Sequence, residues 1–138
     1  MIVYLDTSVV LRTLFREPGR LQQWGNWEKA YSSNLLRIES FRTIDRLRLA
    51  GKISDKEVAQ LAGEIQLVHD TLHIVPLTDS ILQRAAESFP TTIGTLDALH
   101  LSTALSVRAV ESLDYLLTHD DELATAAKSL GFQVLGTK

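Results

Sequence analysis

Met1-Ile-Val-Tyr-Leu-Asp6-Thr-Ser-Val-Val10 carries a mostly apolar run into an acid, two hydroxyl residues and a second apolar run. Ile2 to Leu5 does not alternate, so it reads as a short strand buried on both faces, as in a parallel sheet. Asp6 then stands where the strand ends and a helix begins. In open parallel sheets, ligand sites lie just outside the carboxyl ends of the strands. Asp6 is therefore a candidate active-site acid. An Asp ahead of Val9-Val10-Leu11 is equally an ordinary helix N-cap. Both readings stay open at this point.

Working outward, strands and helices alternate. A helix is expected over Thr7–Phe15, stopped by Glu17-Pro18-Gly19. A weaker helix over Arg20–Ala30 carries Trp24 and Trp27 on one face, as core or as a half-covered contact surface. Tyr31–Ser33 reads as a short strand. Asn34 is a candidate cap for a long helix to Ala50, ended by Gly51. Ser54-Asp-Lys-Glu57 is a capping box opening a helix to about His69. His73–Pro76 reads as a strand, Leu77–Ser88 as a helix capped by Thr78 or Asp79, and Phe89–Gly94 as a loop. Thr95-Leu-Asp97 begins a helix over Ala98–Val110, rich in Ala, Leu and Ser. Asp114–Thr118 is the next strand, Leu123–Leu130 the last helix, ended by Gly131, and Phe132–Leu135 the closing strand. The pattern predicts a single α/β domain over residues 1–138, a three-layer α/β/α sandwich on a mainly parallel sheet.

Composition narrows the function classes. There is no cysteine, which excludes disulfides and thiolate metal sites and fits a reducing cytoplasm. No apolar run has the length of a membrane span, and no secretory signal is expected at the N-terminus. Formal net charge is −3, which argues against a general nucleic-acid coat. Its distribution is uneven. Residues 1–52 hold nine Lys/Arg against five Asp/Glu, and residues 53–138 hold five against twelve. The first part could meet a polyanion and the second could supply metal-binding acids, although solvated helix faces would look the same.

Four carboxylates stand out. Asp6 and Asp120 follow predicted strands, Asp97 lies in the first turn of a buried helix, and Glu39 lies inside the long helix. Separately, three of them read as helix-start residues. In a parallel sheet, however, all four can reach one edge. Four neighbouring carboxylates do not stay ionised without a cation between them, and hard oxygen ligands suit Mg²⁺ or Mn²⁺. That chemistry points to phosphoryl transfer or phosphodiester hydrolysis. Arg12, Arg16, Arg42 and Arg46 are candidate contacts for substrate phosphates, and Arg42 could instead pair with Glu39. His100, three residues after Asp97, is a candidate ligand or proton-transfer group, or simply a hydrogen-bonded core histidine.

Tyr4-Leu-Asp6-Thr-Ser8, Arg37-Ile-Glu39-Ser-Phe-Arg42, Thr95-Leu-Asp97-Ala-Leu-His100-Leu-Ser-Thr-Ala104 and Leu117-Thr-His-Asp120-Asp-Glu-Leu-Ala124 through Gly131-Phe-Gln-Val134 stand in that order along nearly the whole chain. Together they resemble a PIN domain, and more narrowly the VapC-type toxins of toxin–antitoxin pairs. The resemblance implies a metal-dependent endoribonuclease. Asp6, Glu39, Asp97 and Asp120 would be its catalytic, metal-binding acids, with Ser8 and Thr118 as supporting hydroxyls. Asp120 is chosen over its neighbour Asp121 because it follows Thr118 at the family's usual offset. His119 departs from the aromatic or apolar residue common there. The resemblance further implies an RNA substrate, a homodimer, a cognate antitoxin over the site, and DNA contact only through that antitoxin. The competing class is a non-catalytic PIN-like module that binds RNA or protein; the presence of all four acids argues against it. An aspartate-nucleophile phosphatase is disfavoured because no second Asp stands two residues after Asp6.

Overall fold

A computed structural model describes residues 1–138. The strands are β1 (Ile2–Leu5), β2 (Lys29–Ser33), β3 (His73–Val75), β4 (Tyr115–Leu117) and β5 (Val134–Leu135). The helices are α1 (Thr7–Leu14), α2 (Leu35–Leu49), α3 (Asp55–Thr71), α4 (Asp79–Ala85), α5 (Thr95–Arg108) and α6 (Asp121–Ser129). The sheet order is β3-β2-β1-β4-β5 and every pairing is parallel.

β1 lies at the centre because its residues can be dry on both sides. Val3, Tyr4 and Leu5 have no solvent exposure. Val3 and Leu5 join a cluster with Val9, Val10, Leu36 and Leu72, from α1, α2 and the end of α3. Tyr4 faces the other way, into Leu101, Ala104, Leu123 and Ala127 of α5 and α6. The alternation of side chains along a strand thus separates two cores and produces the three layers. No helix is long and apolar enough to cross a membrane.

The order of strands fixes where a site can form. From β1 the chain moves outward to β2 and β3, then returns across the sheet to place β4 on the other side of β1. The β1/β4 boundary is therefore the topological switch point, where helices diverge and leave a crevice at the carboxyl ends. Asp6 follows β1 there, and its N–H donates to the Leu117 carbonyl of β4 at 2.9 Å.

Several local expectations are corrected. Arg20–Ala30 is not helical. Trp24 N–H bonds to Leu21 and Asn26 N–H to Gln23, as successive turns, and Gly25 has φ +83°, which ends any helix. Trp24 and Trp27 instead pack edge to face at 5.3 Å against the first core. Lys29 and Ala30 are drawn into β2 because they pair with Ile2 and Val3, a long-range demand that local pattern does not carry. Asn34 makes no side-chain cap; Ser33 Oγ accepts from Leu35 N at 3.1 Å instead. The capping box at Ser54 and Glu57 forms as expected. Thr78, not Asp79, caps α4, which is shorter than its apolar pattern.

The C-terminal segment closes over β4 at Gly136. This residue has φ +109°, and a Cβ there would lie 2.2 Å from the Thr118 carbonyl oxygen. Gly136→Ala therefore combines backbone strain with a clash against a fixed strand. We expect a loss of about 2 kcal/mol or more in urea unfolding, larger than the roughly 1 kcal/mol of an ordinary loop substitution.

Candidate active site

Asp6 occupies the N-cap position of α1, but its side chain makes no cap hydrogen bond. Its Oδ2 instead accepts from Ser8 Oγ at 2.7 Å and from Thr118 Oγ1 at 2.8 Å. Each hydroxyl is itself oriented from the β4 side. Ser8 Oγ accepts from His119 N at 3.0 Å, and Thr118 Oγ1 accepts from Asp120 N at 3.0 Å. Each hydroxyl accepts one backbone N–H and directs its single proton at Asp6. A carboxylate that is only 4% exposed needs such donors, because desolvation without them costs several kcal/mol. The second oxygen, Oδ1, has only the His100 ring nearby, at 3.5 Å.

Glu39, on α2, is held in a parallel way. Its Oε1 accepts from Thr7 Oγ1 at 2.8 Å and lies 2.7 Å from His100 Nε2. Arg42 does not pair with it; the guanidinium turns to Asp45 at 3.1 Å, correcting that alternative. Asp97 stands in the first turn of α5 and is half-buried. Burial, then the charges of Asp120 and Asp6, with a smaller contribution from Glu39, push its pKa from 3.8 to about 7. Asp97 thus lies within electrostatic range of the other three acids. Asp120 is both site neighbour and helix cap, since its Oδ1 accepts from Leu123 N at 2.8 Å. Asp121, the alternative, is exposed in the first turn of α6.

The four arginines do not reach this cluster. Arg12 lies 3.9 Å from Glu17, Arg16 lies 3.6 Å from Glu64, and Arg46 donates to Thr43 Oγ1 at 3.3 Å. Their chemistry, if any, is peripheral to the acids. Sequence reasoning underweighted His100 and Thr7 and gave Tyr4 no role. The signal was present in the spacing: Thr7 adjoins Asp6, and His100 is one turn after Asp97. A concavity of about 680 Å³ between α4 and the start of α5 is walled by residues such as Leu82, Phe89 and Ile93. None of the four acids lines it, so the chemistry is assigned to the sheet edge.

As the side chains stand, no three His, Asp or Glu groups are arranged to share one ion. Mg²⁺ nevertheless requires no closed protein cage; it takes one or two carboxylates and keeps its waters. The donor set fits such an ion. It is all hard oxygen, Asp6 Oδ1 and Glu39 Oε2 accept no hydrogen bond from protein hydroxyls or N–H groups beyond the approach of His100, and Asp97 is under charge stress that a cation would relieve.

Comparison with known proteins agrees with the fold. The PIN domain family model matches residues 3–129. The chain belongs to the PIN domain family. Among PIN relatives it is 32% identical to ribonuclease VapC46 of Mycobacterium tuberculosis (strain ATCC 25618 / H37Rv), over 96% of this chain and 95% of that protein. It is 29% identical to ribonuclease VapC47 of Mycobacterium tuberculosis (strain CDC 1551 / Oshkosh), covering 95% and 93%. The PIN fold also superposes on VapBC2 from Rickettsia felis, solved bound to a DNA fragment from its promoter. The TM-score is 0.68 at 16% identity, covering 98% of each chain.

The raised Asp97 pKa sets a sign for stability. Between pH 4 and 7 the folded protein keeps a proton that the unfolded chain, at 3.8, has released. Metal-free stability contributed by this group therefore falls as pH rises through that window. Asp97→Asn should flatten the decline and be more stable than wild type at pH 8, by about 1 kcal/mol after allowing for solvent screening of a half-exposed group. Thermal melts at pH 5 and pH 8 measure this. Addition of Mg²⁺ or Mn²⁺ at 100 times its Kd should recover about 2.7 kcal/mol in the wild type, and less in the variant.

Proposed function

We propose that the chain is a divalent-metal-dependent endoribonuclease and the toxin of a toxin–antitoxin pair. The observation that carries this reading is the orientation of Asp6. It is turned away from the helix it could cap and held by two hydroxyls at the sheet's switch point, beside three further acids. Kinship over nearly the full chain with two proteins named ribonucleases supports RNA as the substrate.

Asp6, Glu39, Asp97 and Asp120 would hold the cation, Mg²⁺ or Mn²⁺. When bound, such an ion supplies a water acidic enough to attack a phosphodiester and offsets charge on the phosphate oxygens. The protein's own contribution is placement. Ser8 and Thr118 fix the Asp6 carboxylate, and Asp120 is fixed through the start of α6. Arg42 and Arg46 project from the exposed side of α2, down the helix from Glu39, and would position RNA phosphates without reading sequence. Arg12, in the last turn of α1, and Arg16, just beyond the helix, would extend that positive track.

The same reading brings partners. A cognate antitoxin would cover the acids, and the chain would act as a homodimer in the cytoplasm. Likeness in fold to VapBC2, solved with promoter DNA, supports a DNA link that runs through the antitoxin.

The test is cleavage of a mixed RNA pool with Mg²⁺ or Mn²⁺, with and without EDTA. We expect EDTA to abolish cleavage and Asp6→Asn, checked as folded, to reduce its rate at least about a hundredfold. Equal rates in both proteins would remove Asp6 from the site. RNA binding without cleavage at every metal concentration would favour the non-catalytic module.

A further inference from the structure

α5 carries three fully or almost fully buried polar side chains in sequence, and they behave differently. Ser102 Oγ donates to the Ile81 carbonyl at 2.7 Å, and Thr103 Oγ1 donates to the Leu99 carbonyl at 2.7 Å. These satisfy the backbone, as buried hydroxyls ordinarily do. His100 does not. It has no solvent exposure, yet both ring nitrogens are committed to side chains. Nδ1 lies 2.8 Å from Tyr4 Oη, and Nε2 lies 2.7 Å from Glu39 Oε1.

The chemistry of the partners fixes the direction of this chain. The Tyr4 hydroxyl is fully buried, lies 2.8 Å from Nδ1, and as a neutral phenol carries a proton to donate. The hydroxyl can therefore donate to Nδ1, and the ring proton then sits on Nε2, facing Glu39. A Tyr4–His100–Glu39 chain results. It runs from the middle of the buried central strand to a carboxylate that is 23% exposed. Glu39 is thereby pinned through one oxygen, as Asp6 is pinned through one oxygen by Ser8 and Thr118. In each acid the other oxygen is left to a ligand.

We propose that His100 is a positioning residue for the acid site: its Nε2–H, oriented by Tyr4, holds Glu39 Oε1 so that Oε2 is presented with Asp6 to a divalent cation. The proposal rests on the metal-dependent reading above, and it deepens that reading by assigning a part of the machinery outside the four acids. Donors that orient a ligating carboxylate are commonly worth 10–100-fold in metal affinity or activity.

Two polar variants separate positioning from packing. In His100→Gln the amide nitrogen can take the place of Nε2 and still reach Glu39. In His100→Asn it takes the place of Nδ1 and reaches only toward Tyr4. Mn²⁺ affinity is read by calorimetry on the metal-free proteins, together with kcat and KM on RNA and a thermal melt. We expect Gln to stay within about tenfold of wild type. Asn should lose about 10–100-fold in Mn²⁺ affinity and in kcat, with KM for RNA changed less than threefold. Equal values for Gln and Asn, or an Asn variant within threefold of wild type, would overturn the proposal. If Asn does not fold, Tyr4→Phe is read in its place, and unchanged Mn²⁺ affinity there would overturn it. A wild type that shows this Mn²⁺ pattern but cuts no RNA would remove the ribonuclease reading and leave the positioning role standing. A wild type that binds neither Mn²⁺ nor Mg²⁺ would remove both.

Discussion

Two hydrogen bonds to one oxygen, from Ser8 Oγ and Thr118 Oγ1 to Asp6 Oδ2, connect the charge of the site to the geometry of the sheet. The Thr118 bond joins the residue after β1 to the residue after β4, the two strands between which the sheet order reverses, and Ser8 is tied to the same side by His119 N. Hydrogen bonds to a charged group are worth about 1.5–3 kcal/mol each, comparable to the cost of holding a carboxylate nearly dry. Asp6 is therefore tolerated where it is because β4 lies beside β1. The strand pairing also benefits, because the acid gives the two hydroxyls a common acceptor.

The remaining acids depend on that arrangement in different ways. Glu39 reaches the site because α2 starts at the carboxyl end of β2, the other neighbour of β1. Asp97 reaches it from the opposite layer, at the first turn of α5, and bears the electrostatic cost as a pKa near 7. Asp120 relieves part of its own cost by capping α6. The proposed site would draw one acid from each of four elements that share only the central edge, so no single helix or loop would hold it.

How much of this was legible follows from which forces are local. β1 was readable because burial on both faces leaves an unbroken apolar run at Ile2–Leu5, and the capping box at Ser54 because three residues contain the whole interaction. Asp6 as a member of an acid cluster was readable only from the order of motifs. The sequence around Arg20–Ala30 misled because two tryptophans three apart imitate a helix face, while the pairing of Lys29 and Ala30 with β1 is not local. The cap at Asn34 misled for a related reason. A cap residue can spend its side chain elsewhere, and only tertiary contacts decide where. His100 stayed ambiguous because a buried histidine has the same local pattern whether it bonds to backbone or to Glu39.

The all-parallel sheet has one more consequence. Parallel neighbours cannot be joined by tight hairpins, so every pairing of β1 waits for a crossover. β1 is the first strand in sequence, yet its partner β4 enters at Tyr115, after α5. Asp6 and the hydroxyl of Thr118 are separated by 112 positions. Such distant contacts impose a loop-closure cost before they return any stability, which slows folding. Until β4 has docked beside β1, Asp6 lacks the hydrogen bond from Thr118. The acid edge is therefore assembled only when β1, α2, α5 and the segment after β4 are all present, and no shorter stretch of this sequence holds its four acids together.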